Sequence, residues 1–139
     1  MSIKGVCPVL AVPFTKKGEV DYESFRALSR WIIDIGAKST LFFGVASENI
    51  KLSDPERYQL LDILLTERAG SDLKIITTVA DHSSELAVIR AKDYEAMGVD
   101  YINILPPTFF GPSAAQIDFH LESILKSVKI PVVIQHLPQ

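Results

Sequence analysis

The sequence predicts an α/β protein of about four and a half β/α units around a parallel sheet. Short apolar runs without polar alternation recur along the chain, which is typical of strands buried on both faces. Segments with the spacing of amphipathic helices lie between them at a period of roughly 30 residues, and this alternation favours right-handed β-α-β units. The predicted strands cover residues 6–14, 40–46, 74–80, 101–105 and 132–137.

The first two predicted helices follow the first two strands. The first carries apolar side chains at helical spacing from Tyr22 to Ile35 and ends at Gly36, a usual residue after a last turn. The second begins at a capping box, in which Ser53 and Glu56 each satisfy a free amide of the first turn, and it extends to about Gly70.

The third and fourth predicted helices also carry start signals. Ser83 or Ser84 caps the third, which ends before Gly98. Ser113 and Gln116 form a second capping box, and the helix that follows leads into the last strand.

Periodicity alone leaves two architectures open. The predicted elements would complete a flavodoxin-like sheet, or would make just over half of a (β/α)8 barrel, which typically needs roughly 250 residues. Both kinds of sheet hold ligands at the carboxyl ends of their strands, so functional residues are expected there. In this chain those ends are at Phe14, 44–48, 81–82, 106–110 and 135–138.

Composition restricts the class of ligand. The 139 residues are 47% hydrophobic and 22% charged, as in one globular domain, and the net charge is −3. Acidic and basic residues are interleaved, so no basic stripe is present for nucleic acid or anionic lipid, and a small-molecule ligand is expected. We find neither an apolar run long enough to span a membrane nor a signal-peptide layout, and expect a cytoplasmic protein.

Four segments carry a resemblance to a known family. Their order and spacing are similar to those of the Schiff-base aldolases typified by dihydrodipicolinate synthase and N-acetylneuraminate lyase. The resemblance implies that residues 1–139 form a single partial domain, the N-terminal portion of a (β/α)8 TIM barrel with strands one to five and helices one to four. The segments are PVLAVPF at 8–14, GVASEN at 44–49, LPPTFF at 105–110 and IPVVIQHLP at 130–138.

The resemblance also implies a reaction. In this family a lysine at the end of strand six forms a Schiff base with pyruvate or a related 2-oxo acid, and the iminium stabilises charge at the neighbouring carbon. No cofactor is needed. Because the present sequence stops after strand five, the lysine is expected in a missing C-terminal half, and the family habit implies a homo-oligomer, a homotetramer.

The resemblance assigns substrate binding to the loop after the second strand and to one residue of the fourth. Val45 and Ala46 stand where the family's synthases and lyases carry hydroxyl side chains. Ser47 either binds the substrate carboxylate, together with the amides of Ala46 and Ser47, or bonds local backbone. Glu48 matches the family's glutamate, as an anchor of the loop or as a ligand contact. Phe109 replaces a tyrosine of the proton relay.

At the end of the fifth strand the resemblance points to Gln135 and His136 as catalytic candidates. Gln135 replaces the family's tyrosine, and an amide can orient a ligand but cannot relay a proton at neutral pH. Strand alternation turns only one of the two residues inward, and the match to the family's strand five favours Gln135 inside the barrel; His136 is the acid-base candidate. Because the relay hydroxyls are lost, the sequence argues against ordinary dihydrodipicolinate synthesis. It favours a divergent member that acts on another 2-oxo acid or has lost catalysis.

Other functions stay open. A non-catalytic half-barrel could bind or assemble by pairing with a copy of itself, because its first and last strands would otherwise be open edges. A metal-dependent aldolase would use Glu48, His82 and His136 around a divalent cation, although their spacing shows no tight ligand motif. A flavin or phosphate site is disfavoured, because the first strand-helix loop, 15–18, has one glycine and no phosphate cradle.

Two pairs of side chains near strand ends have structural interpretations. Asp81 and His82 are expected to form a satisfied loop pair. Phe109 and Phe110 are candidates for packing against a neighbouring subunit, because aromatic side chains are enriched at interfaces, with core packing as the alternative.

Overall fold

The computed structural model describes residues 3–109 and 111–136. The chain divides into two compact units, Met1–Ile75 and Ile76–Gln139. Helices and strands alternate along both units, as the sequence predicts. In chain order the described elements are α1 (Tyr22–Asp34), β1 (Ser39–Phe42), α2 (Asp54–Glu67), β2 (Lys74–Val79), α3 (Ser84–Met97), β3 (Tyr101–Ile104), α4 (Ala114–Leu125) and β4 (Val132–Ile134).

The first predicted strand, at 6–14, is present as isolated bridges and not as a continuous strand. Val9 pairs in parallel with Leu41 of β1, and Phe14 pairs in antiparallel fashion with Val20. Two prolines in this segment have no amide hydrogen, so the segment cannot donate a full ladder of hydrogen bonds. The strand predicted at 40–46 corresponds to the shorter β1.

The helices of the first unit begin where the sequence predicts. The Asp21 carboxylate caps α1 by accepting from the Ser24 amide at 2.9 Å. The predicted capping box of α2 is confirmed, since the Ser53 amide donates to the Glu56 carboxylate at 2.8 Å. Trp31, the one tryptophan of the sequence, lies on α1 and is 55% exposed.

Helices α1 and α2 pack against each other in the first unit. The Glu67 carboxylate of α2 accepts from Arg26 at 2.5 Å and from Arg30 at 2.7 Å, both on α1. On the buried side of α1, Phe25 stacks on Phe42 of β1, with ring centroids 5.1 Å apart. Ion pairs therefore link α1 to α2 near the surface, while aromatic rings pack between α1 and β1 in the core.

The second unit contains three parallel neighbours in the order β2-β3-β4. Thr78 of β2 lies opposite Asn103 of β3, and Asn103 lies opposite Val133 of β4. The last strand is shorter than predicted, although the Gln135 amide still donates to a carbonyl of β3 at 2.9 Å. Leu137, the predicted end of that strand, lies outside the described residues.

Helices α3 and α4 pack against each other in the second unit. Ser83 is the cap of α3 and accepts from the Leu86 amide at 3.3 Å, while Gly98 ends the helix at a φ of 96°, a conformation that glycine adopts without strain. The predicted capping box of Ser113 and Gln116 at α4 is confirmed.

No helix among the described residues is long and apolar enough to cross a membrane.

Candidate functional site

A buried polar network lies across the three strands of the second unit. The Asn103 side-chain nitrogen donates to the Thr78 hydroxyl at 3.1 Å and to the Gln135 side-chain oxygen at 3.1 Å. Thr78 and Asn103 are both 2% exposed. On β3 the flanking Ile102 and Ile104 are fully buried, and strand alternation places them on the opposite face from Asn103. One face of this sheet is therefore polar near its carboxyl edge.

Gln135 and His136 follow β4 directly. Gln135 is half-buried and shares a face with Thr78 and Asn103 through the network. His136 is exposed. The structure therefore joins Gln135, but not His136, to the network; Pro138, part of the same predicted strand end, lies outside the described residues.

Thr78 and Asn103 are not among the site residues that the sequence predicts. A polar side chain inside an apolar run is the sequence feature that could have indicated them. Buried polar groups are nearly always hydrogen-bonded, so such a residue must have a partner. Runs such as YINI at 101–104 contain that signal but do not show which strand supplies the partner.

In the first unit, the loop after β1 forms a short 3-10 turn, Val45–Ser47. Its hydrogen bonds are donated by the amides of Ser47 and Glu48, each at 3.0 Å, to the carbonyls of Gly44 and Val45. The amides of Val45 and Ala46 precede these donors and take no part in the bonding of the turn. Both side chains are exposed, so the start of the turn is open to a ligand.

Ser47 does not face solvent. Its side chain is fully buried, and its hydroxyl donates to the Leu10 carbonyl at 2.5 Å. This bond ties the loop to the segment 8–14. The hydroxyl therefore bonds backbone that is distant in sequence, and not the local backbone that the sequence predicts as one alternative.

The same loop has unusual backbone geometry on both sides of the turn. Phe43 has a φ of 59° and Glu48 a φ of 51°, values that non-glycine residues adopt rarely. The Glu48 carboxylate is exposed and forms an ion pair with Lys51. The role of Glu48, as an anchor of the loop or as a ligand contact, stays a prediction.

Close packing, and not the backbone conformation, restricts the residue at position 44. A Cβ atom added here would lie 3.1 Å from the Val9 side chain and 3.3 Å from the Leu41 side chain. Such distances are tighter than ordinary contacts, so a larger residue would displace the loop or its neighbours.

The side chains after β2 find separate partners. Asp81 forms a two-pronged ion pair with the buried Arg90 of α3, at 2.7 and 3.1 Å. His82 makes an edge contact with Phe109, with ring centroids 6.3 Å apart. Asp81 is satisfied as expected, but by the helix and not by a pair with His82. Phe110, the other aromatic candidate, lies outside the described residues.

A cleft of about 400 Å³ lies beside α3 and α4 in the second unit. Within it the Ser84 hydroxyl and the His120 Nδ1 are 3.0 Å apart. His120 is 2% exposed, and burial lowers the pKa of its imidazole below the usual 6.5. The network of Thr78, Asn103 and Gln135 does not line this cleft. The cleft is lined by His82, Ser84, Pro107, Pro112, Ala115, Gln116, Phe119 and His120.

Among residues 3–109 and 111–136, no group of three or more His, Cys, Asp or Glu side chains is placed to hold a metal ion.

The sequence is similar to a family of known enzymes along its whole length. The Dihydrodipicolinate synthetase family model matches residues 2–139. The 4-hydroxy-tetrahydrodipicolinate synthase of Rhizobium meliloti is 30% identical over 135 residues, which are 97% of this chain and 46% of that protein. The enzyme of the same name from Brucella suis is 26% identical over 136 residues, or 98% of this chain and 46% of the relative. The chain thus spans about half the length of these relatives.

Solved structures show the same fold. A crystal structure of dihydrodipicolinate synthase superposes with a TM-score of 0.91 at 23% identity, over 98% of this chain and 46% of that one. The N-acetylneuraminate lyase of Mycoplasma synoviae gives a TM-score of 0.86 at 22% identity, over 96% of this chain and 45% of its own. The fold is that of the N-terminal portion of a (β/α)8 barrel.

Proposed function

Since the chain belongs to the dihydrodipicolinate synthetase family, we propose that it forms the N-terminal half of a lyase or aldolase that acts on pyruvate or a related 2-oxo acid. The reactive lysine, which would form a Schiff base with the ketone, is proposed to lie outside residues 1–139. The iminium withdraws electrons from the neighbouring carbon, so that a carbon-carbon bond can form or break there.

One observation carries the proposal beyond family membership. The Thr78, Asn103 and Gln135 network stands at the carboxyl edge of parallel strands, where (β/α)8 enzymes hold their substrates. A buried amide and hydroxyl in an otherwise apolar sheet are costly unless they are bonded. A network that positions a side chain for a ligand explains why polar residues occupy these places.

In the first unit, we propose that the loop after β1 binds the substrate carboxylate. The Ser47 amide, expected as a donor from the sequence, is used by the turn, so the amides of Val45 and Ala46 are the proposed donors. Ser47 supports them through its bond to Leu10, and Glu48 holds the far end of the loop. A carboxylate bound by backbone amides needs no basic side chain.

In the second unit, we propose that Gln135 orients the ligand and that His136 serves as the acid-base group. Gln135 has no proton to relay at neutral pH, whereas an imidazole does. Phe109, which is 78% exposed, is proposed as an apolar contact of the substrate. A relay without the family's hydroxyls supports a 2-oxo acid reaction other than ordinary dihydrodipicolinate synthesis.

The protein is further proposed to be a homotetramer in the cytoplasm, in keeping with the family. The exposure of Phe109 supports a role in subunit packing as well.

Trapping with borohydride tests the proposed reaction. The intact natural protein is incubated with pyruvate and sodium borohydride, and its mass is measured. Reduction of an imine adds one pyruvate, less the oxygen of its ketone, to a single lysine, which peptide mapping should place outside residues 1–139. Protein treated with borohydride alone is the control. A protein left unmodified by pyruvate and by larger 2-oxo acids would overturn the proposed mechanism.

A further inference from the structure

We propose that Asn103 is a positioning residue that fixes the Gln135 amide with its NH2 group toward the ligand, so that the site selects an oxygen acceptor at this position. The inference rests on the proposed function, which it deepens by naming the chemistry of the substrate group beside Gln135. An acceptor here means a carboxylate, carbonyl or hydroxyl oxygen of the 2-oxo acid.

Both hydrogens of the Asn103 side-chain NH2 group are used in hydrogen bonds. A side-chain amide nitrogen carries two hydrogens, and the two acceptors at 3.1 Å, on Thr78 and Gln135, use both of them. Thr78 and Asn103 lie directly opposite each other in the strand ladder, so their backbones hold this contact in place. Since Asn103 is buried, exchange of these bonds for water is costly.

The bond from Asn103 determines which end of the Gln135 amide faces the ligand. Its side-chain oxygen accepts from Asn103, while its side-chain nitrogen keeps two N–H donors. The Gln135 backbone is held as well, because its amide donates to the Ile104 carbonyl at 2.9 Å. With its oxygen held by Asn103, the half-buried Gln135 side chain presents its NH2 group to the ligand.

This differs from a tyrosine at the same position. A phenol both donates and accepts, so it can bond either a hydroxyl or an oxyanion and can pass a proton between them. The NH2 group of the fixed amide bonds an acceptor, and it carries no lone pair for an ammonium or other donor group. The proposed site is therefore suited to binding and orienting an oxygen and not to moving its proton.

An acceptor-only substitution tests the orientation. In Asn103→Asp the carboxylate has no donor for Gln135, so the Gln135 amide must turn its NH2 group inward and present its oxygen to the ligand. Two oxygen acceptors would then face each other, and the pyruvate concentration that half-saturates borohydride trapping in the intact protein should rise about tenfold or more. The trapping rate at saturation should change much less.

The neighbouring Thr77→Val variant is the matched control. Thr77 is also buried on β2, but alternation places it on the face opposite Thr78, and its hydroxyl has no partner within the described residues. It should leave half-saturation unchanged. Circular dichroism on each variant confirms that folded protein is compared. Asn103→Leu, which frees Gln135 without turning it, should raise the half-saturating concentration less than Asn103→Asp does.

The outcomes separate this inference from the proposed function. If wild-type protein traps pyruvate and Asn103→Asp traps it equally well, the Asn103 amide faces the other way and the inference is overturned while the function stands. If wild-type protein traps no 2-oxo acid, the proposed function fails and the assigned ligand fails with it. Nuclear Overhauser contacts of the Asn103 NH2 protons with Thr78 and Gln135 then still decide the orientation itself.

Discussion

At the scale of single residues, buried polar side chains in both units bond partners that lie outside their own helix or turn. Ser47 reaches the Leu10 carbonyl, and Arg90 reaches Asp81. The residue types are visible in the sequence, which predicts that Ser47 lies in a substrate-binding loop. Their partners could not be predicted, because a side chain's type shows whether it donates or accepts but not which chain segment supplies the partner.

His120 makes the stability of the fold depend on pH. Because burial lowers its pKa in the folded protein, the unfolded chain takes up a proton below about pH 6.5 that the folded chain resists. The unfolding free energy should therefore fall as the pH drops through this range, by at most about 1.4 kcal/mol per pH unit for one proton. The unfolding free energy is measured by urea unfolding, followed by circular dichroism, at several pH values between about 7.5 and 5, where histidines titrate.

The His120→Gln variant should flatten that dependence, since glutamine keeps a polar contact to Ser84 but does not titrate. Phe119→Leu, on the same helix, controls for disturbance of α4 and should retain the slope. Carboxylates whose pKa is lowered, such as Glu56 and Glu67, lose their contribution below 4.5 and so affect a more acidic range. An unchanged slope in His120→Gln would show that another group is responsible.

At the scale of elements, the sequence predicts helices better than strands in this chain. Capping residues such as Ser53, Ser83 and Ser113 act on amides within their own first turn, so local sequence is sufficient to place them. Strand length depends on a neighbour. The segment 6–14 has the composition of a strand, yet it pairs only through isolated bridges because its prolines interrupt the ladder.

Close packing at Gly44 predicts the cost of a single methyl group. Gly44→Ala places a Cβ against Val9 and Leu41 and should lower the unfolding free energy by about 1–3 kcal/mol. The exposed neighbour Val45→Ala, as the control, should change it by no more than about 0.5 kcal/mol. Urea unfolding of both variants makes the comparison. A neutral Gly44→Ala would mean that the loop yields without strain.

At the scale of the whole molecule, the chain corresponds to about half of each relative. The fold class could be predicted because alternating strands and helices, together with four short motifs, agree along the full length. The strand-end network could not be predicted in full. Thr78, Asn103 and Gln135 come from three separate strands, and only the sheet register brings them together.

The mass of the natural protein tests the proposed placement of the lysine. This chain has a calculated mass of 15.4 kDa, and a complete barrel should be about twice as heavy. Intact-mass spectrometry of protein isolated from its source gives the subunit mass, and light scattering gives the assembly, expected at about four subunits. A subunit of 15.4 kDa would remove the Schiff-base mechanism and favour a half-barrel that binds or assembles.

The position of Trp31 allows unfolding of the first unit to be followed by tryptophan fluorescence. As the one tryptophan of residues 1–139, on an exposed position of α1, it reports on its surroundings in the first unit. Emission and circular dichroism should therefore give unequal midpoints wherever the two units melt separately, and coincident midpoints wherever they melt together. Substitutions at His120 or Asn103, both in the second unit, are expected to shift the ellipticity curve, and an equal shift of the emission curve would show that the two units unfold together.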